Sequence, residues 1–147
     1  MSASYWDDKI AWYVNDGSGN FGSQQIITTS ADYALSVYSA DLDGDGDADV
    51  LSASSLDNEI AWYVNDGNGN FGSQQIITNA ANGARSVYAA DLDGDGDTDV
   101  LSASAGDDKI ACYENQTLSE TDPLPPVAGF TSLPAPATTH PATLFIC

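Results

Sequence analysis

The stretch DLDGDGDADV at residues 41–50 returns as DLDGDGDTDV at residues 91–100. Each copy places five aspartates within nine positions. Four carboxylates a few ångströms apart repel by about 1 kcal/mol per pair even at the dielectric constant of water. The chain contains two loops with this charge, and each predicts a bound cation. A cation between the carboxylates replaces their mutual repulsion with attraction.

The pattern D-x-D-G-D-G-x-x-D brings four carboxylates together if the backbone curls, and its glycines permit that curl. Oxygen donors alone, without His or Cys, favour Ca²⁺ over zinc, copper or Mg²⁺. An EF-hand is excluded, because its twelfth position needs a glutamate and here holds Ser52 or Ser102. The predicted ligands of two Ca²⁺ sites are Asp41, Asp43, Asp45, Asp49 and the carbonyl of Asp47, and Asp91, Asp93, Asp95, Asp99 and the carbonyl of Asp97.

An internal repeat surrounds these loops. Residues 6–55 and 56–105 align without a gap and are identical at 38 of 50 positions. A period of this length is typical of propellers, solenoids and arrays. Strand signals within each repeat are aromatic or β-branched, and NDGSGN or NDGNGN supplies a hairpin turn between two of them. The predicted strands are 36–40, 49–54, 10–15 and 21–28, with 86–90, 99–104, 60–65 and 71–78 in the other copy.

These patterns predict an all-β fold of tandem four-stranded antiparallel blades of propeller type. One blade, about residues 33–80, is complete; two strands precede it and three follow it. The array is therefore expected to be open, with about two and a half blades. The predicted repeat region is 1–115, followed by a Pro/Thr/Ser-rich tail at 116–147 that we expect to pack on a neighbouring subunit.

Charge excludes several partners. The chain carries 22 acidic and 3 basic residues, for a formal charge of −19. Nucleic acids and anionic membrane surfaces both require a basic face, and no apolar run has the length of a membrane span. The two cysteines, Cys112 and Cys147, can form one disulfide. Cys112 stands where the other copies of the repeat have tryptophan, and we interpret it as a substitution in the core.

At these motifs the chain resembles the FG-GAP or VCBS repeats of integrin-α-type propellers. Phe21-Gly22 and Phe71-Gly72 stand at the "FG" position, and Ser-Ala-Ser at 52–54 and 102–104 replaces "GAP". The resemblance implies that the acidic loops bind Ca²⁺ and that the protein is an extracellular or cell-surface module. In the tail, residues 125–131 resemble the opening strand of a PKD-type domain, and Asn115-Gln116-Thr117 is a sequon, which makes Asn115 a candidate glycosylation site.

Two functions follow as hypotheses. The first is a calcium-binding structural or adhesive module that assembles head to tail into a ring, oligomer or fibre and binds a cell-surface protein. The alternative is a calcium-dependent lectin that binds a glycan through Trp12, Tyr13, Trp62 and Tyr63, although strand alternation favours a core position for these rings. No enzyme is expected, because the only histidine, His140, lies in the irregular tail without a catalytic set around it.

Overall fold

The structure, a computed structural model, describes residues 1–116 and residues 130–132. Within them the fold is all-β, as predicted, with three antiparallel sheets in which each strand pairs with its neighbours in sequence. The first sheet contains β1 (Ser2–Ser4), β2 (Lys9–Asn15) and β3 (Phe21–Thr28); the second contains β4 (Ala34–Ala40), β5 (Asp49–Ser54), β6 (Glu59–Tyr63) and β7 (Gln75–Thr78); the third contains β8 (Ala84–Ala90), β9 (Asp99–Ser104), β10 (Lys109–Asn115) and β11 (Phe130–Ser132).

The first sheet has one strand more than the sequence predicted. β1 pairs with β2, with Ser2 opposite Ala11 and Ser4 opposite Lys9. Its three small residues carry little intrinsic strand preference, so the local pattern does not predict this strand. Pairing with the aromatic strand beside it, rather than local propensity, accounts for its conformation.

The third sheet also gains a strand, from the tail. Phe130 lies opposite Asn115 across β10 and β11, the same register that places Phe21 opposite Asn15 and Phe71 opposite Asn65. Residues 130–132 therefore complete the chain's own third blade. The rest of the PKD-like segment, His140 and Cys147 lie outside the described residues, and the contact of the tail with a neighbouring subunit stays a prediction.

Apolar residues hold the three sheets together on both faces of the middle one. Along β5 and β6, Val50 and Tyr63 face the first sheet, whereas Leu51 and Trp62 belong to the core shared with the third. This division follows from side chains that alternate between the two faces of a strand. All six residues of β5 are buried as a result.

Short linkers join one blade to the next through a repeated hydrogen-bond pattern. Asp8 accepts a bond from the Ala31 N–H at its carbonyl (3.2 Å) and from the Tyr33 N–H at its carboxylate (3.0 Å). Asn58 accepts the same two bonds from the following linker, at 3.1 and 2.9 Å. Both residues have a positive φ, 57° and 62°, which turns their carbonyl and side chain towards the linker.

Cys112 is half-buried in β10 and is disulfide-bonded. The equivalent residue in the middle blade, Trp62, is buried in the core between the second and third sheets. The substitution therefore replaces a large ring with a cross-linked sulfur at one position of the repeat.

We expect Gly69→Ala to destabilise the protein more than Gly19→Ala. Both glycines have a positive φ, 80° and 88°, so both substitutions incur the same backbone strain. A Cβ at Gly69 would lie 2.8 Å from the Trp12 ring of the preceding blade, whereas nothing lies within 4 Å of one at Gly19. The additional loss should be about 1–3 kcal/mol, measured by urea denaturation, and equal losses would contradict this packing.

Candidate metal centres

Each acidic loop connects the first two strands of a blade and gathers three carboxylates. Oxygens of Asp41, Asp43 and Asp49 all lie within 4.8 Å of one another. Asp91, Asp93 and Asp99 form the same group in the third blade. Two adjacent blades thus repeat one arrangement of oxygen donors.

Backbone amides give the first loop its curl. The Asp41 carboxylate accepts hydrogen bonds from the N–H groups of Gly44 (2.8 Å) and Gly46 (3.0 Å). Both glycines have a positive φ, 77° and 93°, which lets the chain wrap around the carboxylate. The Asp91 loop repeats these bonds at 2.7 and 3.2 Å.

Asp49 is the buried member of the first group, with no solvent-exposed surface. Its Oδ2 accepts a bond from the Leu42 N–H at 3.1 Å, and its Oδ1 accepts one from the Asn65 N–H at 2.8 Å. The carboxylate therefore ties the start of the loop to the end of β6. Burial raises the pKa of Asp49 to about 6, although these two hydrogen bonds favour the charged form.

The remaining predicted ligands are placed differently. Asp45 and Asp95 lie outside the groups of three; each accepts a hydrogen bond from the backbone N–H two residues on, at 2.8 and 2.9 Å. The Asp47 carboxylate lies against the hairpin turn of its own blade, where a Cβ at Gly67 would come within 2.5 Å of Oδ2. The use of the Asp47 carbonyl as a ligand stays a prediction.

The two loops differ in burial although their sequences are nearly identical. Asp41 and Asp43 are half-buried, and Leu42 is buried in the core between the second and third sheets. Asp91 and Asp93 are exposed. Desolvation also raises the pKa of Asp43. The third blade covers the first loop, and no described element covers the second in the same way.

Asn115, the candidate glycosylation site, is fully buried. Its Nδ2 donates to the Leu42 carbonyl at 2.6 Å and to the Thr98 carbonyl at 3.2 Å. A glycan on Nδ2 would require a solvent path and would disrupt both bonds, so we expect no modification of the folded chain at this residue.

Of the four aromatic residues suggested for sugar binding, two lie in the core. Trp62 and Tyr63 are buried, and Trp12 and Tyr13 are half-buried. Another aromatic group is exposed instead: the Tyr5 ring lies 4.8 Å from that of Trp6 and 4.2 Å from that of Tyr33, between centroids. Trp6 is 82% exposed. A comparison of the two repeats could have identified this aromatic group, because the second repeat has Leu56 in place of Trp6 and Gly83 in place of Tyr33.

We expect Asp49 to make the metal-free protein less stable as the pH rises from 4 to 7. The folded-state pKa of Asp49, about 6, lies above the ordinary value of 3.8. Folding therefore favours the protonated carboxyl, and this contribution is complete below pH 4 and lost as the pH rises through 6. Thermal unfolding of metal-stripped protein at several pH values tests it; Asp49→Asn should flatten the dependence, and an unchanged slope in that variant would contradict the assignment.

Comparison with known families matches the part of the chain that contains the blades and the two acidic loops. Residues 1–52 and residues 41–102 each match the FG-GAP-like repeat. Both matches contain the first acidic loop, and the second match extends through the other loop into β9. No curated protein matches the chain. Within residues 1–116 and 130–132, no helical segment has the length and apolarity needed to cross a bilayer.

Proposed function

This chain belongs to the FG-GAP-like repeat family, and from that premise we propose that it is a calcium-binding structural and adhesive module. The observation that carries the proposal is the convergence of Asp41, Asp43 and Asp49, repeated in the next blade. Repeats of this family are typically extracellular adhesion modules. The proposed role is non-catalytic, since the carboxylates that converge in the two loops are better explained as metal ligands than as a general acid and base.

The donor set fits a hard divalent cation. Three carboxylates converge in each loop, without sulfur or imidazole, and Ca²⁺ prefers six to eight oxygen ligands. In the first loop Asp41, Asp43 and Asp49 would hold the ion, with Asp45 and the Asp47 carbonyl available to complete its coordination. The cation would neutralise carboxylates that otherwise repel one another and would fix the connection between two strands.

Calorimetric titration tests the proposal. We expect two Ca²⁺ ions per chain, and one in each of the variants Asp41→Asn and Asp91→Asn. Asp32→Asn, which removes an exposed charge outside both loops, should retain two. Absence of Ca²⁺ binding, or a stoichiometry that neither loop variant changes, would overturn the assignment.

We further propose that the third blade binds a second copy of the chain. Ile10 and Ile60 are fully buried under the following blade, whereas the equivalent Ile110 is 76% exposed. Asp108 has a positive φ of 54°, close to those of Asp8 and Asn58, yet receives no hydrogen bond from a linker among the described residues. Another blade at this face would bury the isoleucine and supply the missing donors, which favours head-to-tail assembly.

We expect Ile110→Glu to reduce assembly in calcium. A charge at this position would have to be desolvated in the contact. Ile76→Glu is the matched control, because Ile76 is 54% exposed on the outer strand of the middle blade. Light scattering measures the mass. A monomeric wild-type protein, or equal effects of the two substitutions, would contradict the proposed contact.

Carbohydrate binding is the second candidate function, favoured by the cluster of Tyr5, Trp6 and Tyr33, in which Tyr5 and Trp6 are exposed and Tyr33 is half-buried. Exposed aromatic rings offer apolar faces on which the C–H faces of a sugar ring can stack. A glycan array should show ligands that the wild-type protein binds and Trp6→Ala does not. Binding that is insensitive to Trp6→Ala, or no binding, would exclude this site.

A further inference from the structure

Asn115 lies between the two acidic loops and bonds to both. Its backbone N–H donates to Oδ1 of Asp99, a member of the second carboxylate group, at 2.8 Å. Its Nδ2 donates to the carbonyl of Leu42, which stands between Asp41 and Asp43 in the first loop, at 2.6 Å. A single buried residue thus joins loops that are fifty residues apart in sequence.

The connection continues to the buried carboxylate of the first loop. The Leu42 N–H donates to Oδ2 of Asp49 at 3.1 Å. An unbroken path therefore runs from Asp99 through Asn115 and Leu42 to Asp49. The three hydrogen bonds measure 2.8, 2.6 and 3.1 Å, and all four residues are buried.

Resting on the proposed binding of calcium, we propose that Asn115 is a positioning residue that couples the two calcium sites. An ion in the second loop would fix Asp99 and, with it, the amide of Asn115. That amide would then hold the Leu42 carbonyl and N–H in place before an ion reaches the first loop. Because ordering completed by one ligand need not be repeated for the next, the coupling is positive.

The equivalent residue of the middle blade provides a contrast. Asn65 also donates its N–H to the buried aspartate of its own blade, and its Nδ2 to the Ala48 carbonyl. Its Oδ1 accepts bonds from Gly67 and Gly69 in the hairpin turn. Among the described residues, Asn65 has no bond to a second acidic loop.

Among residues 1–116 and 130–132, no turn of that kind holds Asn115. Its Oδ1 is buried and has no hydrogen-bond partner among the described residues. A buried oxygen without a hydrogen-bond partner lowers the free energy of unfolding. An amide at this position is therefore best explained by the bonds of its other atom, Nδ2. Those bonds are made to carbonyls of both loops.

Site-resolved calcium titration tests the coupling. Amide resonances of Gly46 and Gly96 report the filling of the two loops separately. Asp91→Asn with Asp93→Asn blocks the second site but leaves Asp99, and therefore its bond to Asn115. We expect this block to weaken calcium binding at the first loop about fivefold or more, a coupling of ordinary allosteric size.

The Asn115→Leu variant should remove this effect. Leucine has a similar volume, no donor and no unsatisfied Oδ1, so the fold should persist; Asn115→Ala is the second variant. In either background, blocking the second loop should change first-loop affinity less than about twofold. In Asn65→Leu, the matched control, the block should keep its full effect.

Two results would overturn the coupling while leaving the proposed function intact. One is equal affinity of the first loop whether or not the second is blocked. The other is coupling that persists in both Asn115 variants. Failure of either loop to bind Ca²⁺ in the wild-type protein would instead overturn the proposed function itself.

Discussion

Removal of Ca²⁺ should lower the thermal unfolding midpoint by roughly 10 °C. A site filled at ten times its dissociation constant adds about 1.4 kcal/mol, so two sites add about 3 kcal/mol. A domain of this size shifts by roughly 3–4 °C per kcal/mol. We expect this effect because the three carboxylates within each loop repel one another when no cation lies between them.

Calorimetry or circular dichroism, with calcium and with a chelator, measures this shift. Mg²⁺ at the same concentration should restore little of the stability, because it keeps its waters and accepts few protein carboxylates. The double variant Asp41→Asn with Asp91→Asn should unfold at one temperature in both conditions. An equal calcium response in that variant would place the stabilising ions elsewhere.

Asp49→Ala should be the most damaging single substitution in the first loop, even without calcium. Two backbone N–H groups, those of Leu42 and Asn65, lose their acceptor. Each buried donor left without a partner costs about 1–3 kcal/mol. Relief of a desolvated charge offsets part of this loss, so we expect a net loss of roughly 2–4 kcal/mol.

Asp45→Ala is the matched control. Asp45 belongs to the same loop but is exposed, and its carboxylate accepts the N–H of Asp47, which is itself in the loop. Its loss from metal-free protein should stay within about 0.5 kcal/mol. Urea denaturation in chelator compares the two variants, and similar losses would show that Asp49 does not tie the loop to β6.

Much of the blade was predictable from local pattern. The segments at 49–54, 99–104 and 21–28 form strands with the predicted bounds, because each contains apolar or β-branched residues and lies next to turn residues. In the second copy, the predicted strand at 71–78 is shortened to Gln75–Thr78, with an isolated bridge from Phe71 to Asn65. Identical local sequence therefore did not ensure identical strand length.

Two strands were not predicted as members of the blades, although residues 125–131 resemble the opening strand of a PKD-type domain. Ser2–Ser4 consists of small residues, and Phe130–Ser132 follows a long Pro-rich connection. Both are explained by pairing: each lies against an aromatic-containing strand, β2 or β10, that offers unpaired backbone groups. The exposed cluster around Trp6 was not predicted for a related reason, since exposure depends on neighbours distant in sequence.

By itself, the sequence determined the repeat, the all-β blades and the acidic loops with their oxygen-only donors. These follow from residue type and spacing, which act over a few positions. Only the tertiary structure decided that the two loops are not equivalent. The third blade buries Leu42, half-buries Asp41 and Asp43, and brings Asn115 against the first loop. Burial is a property of what lies next to a residue in space, and two nearly identical loops differ as soon as their neighbours do.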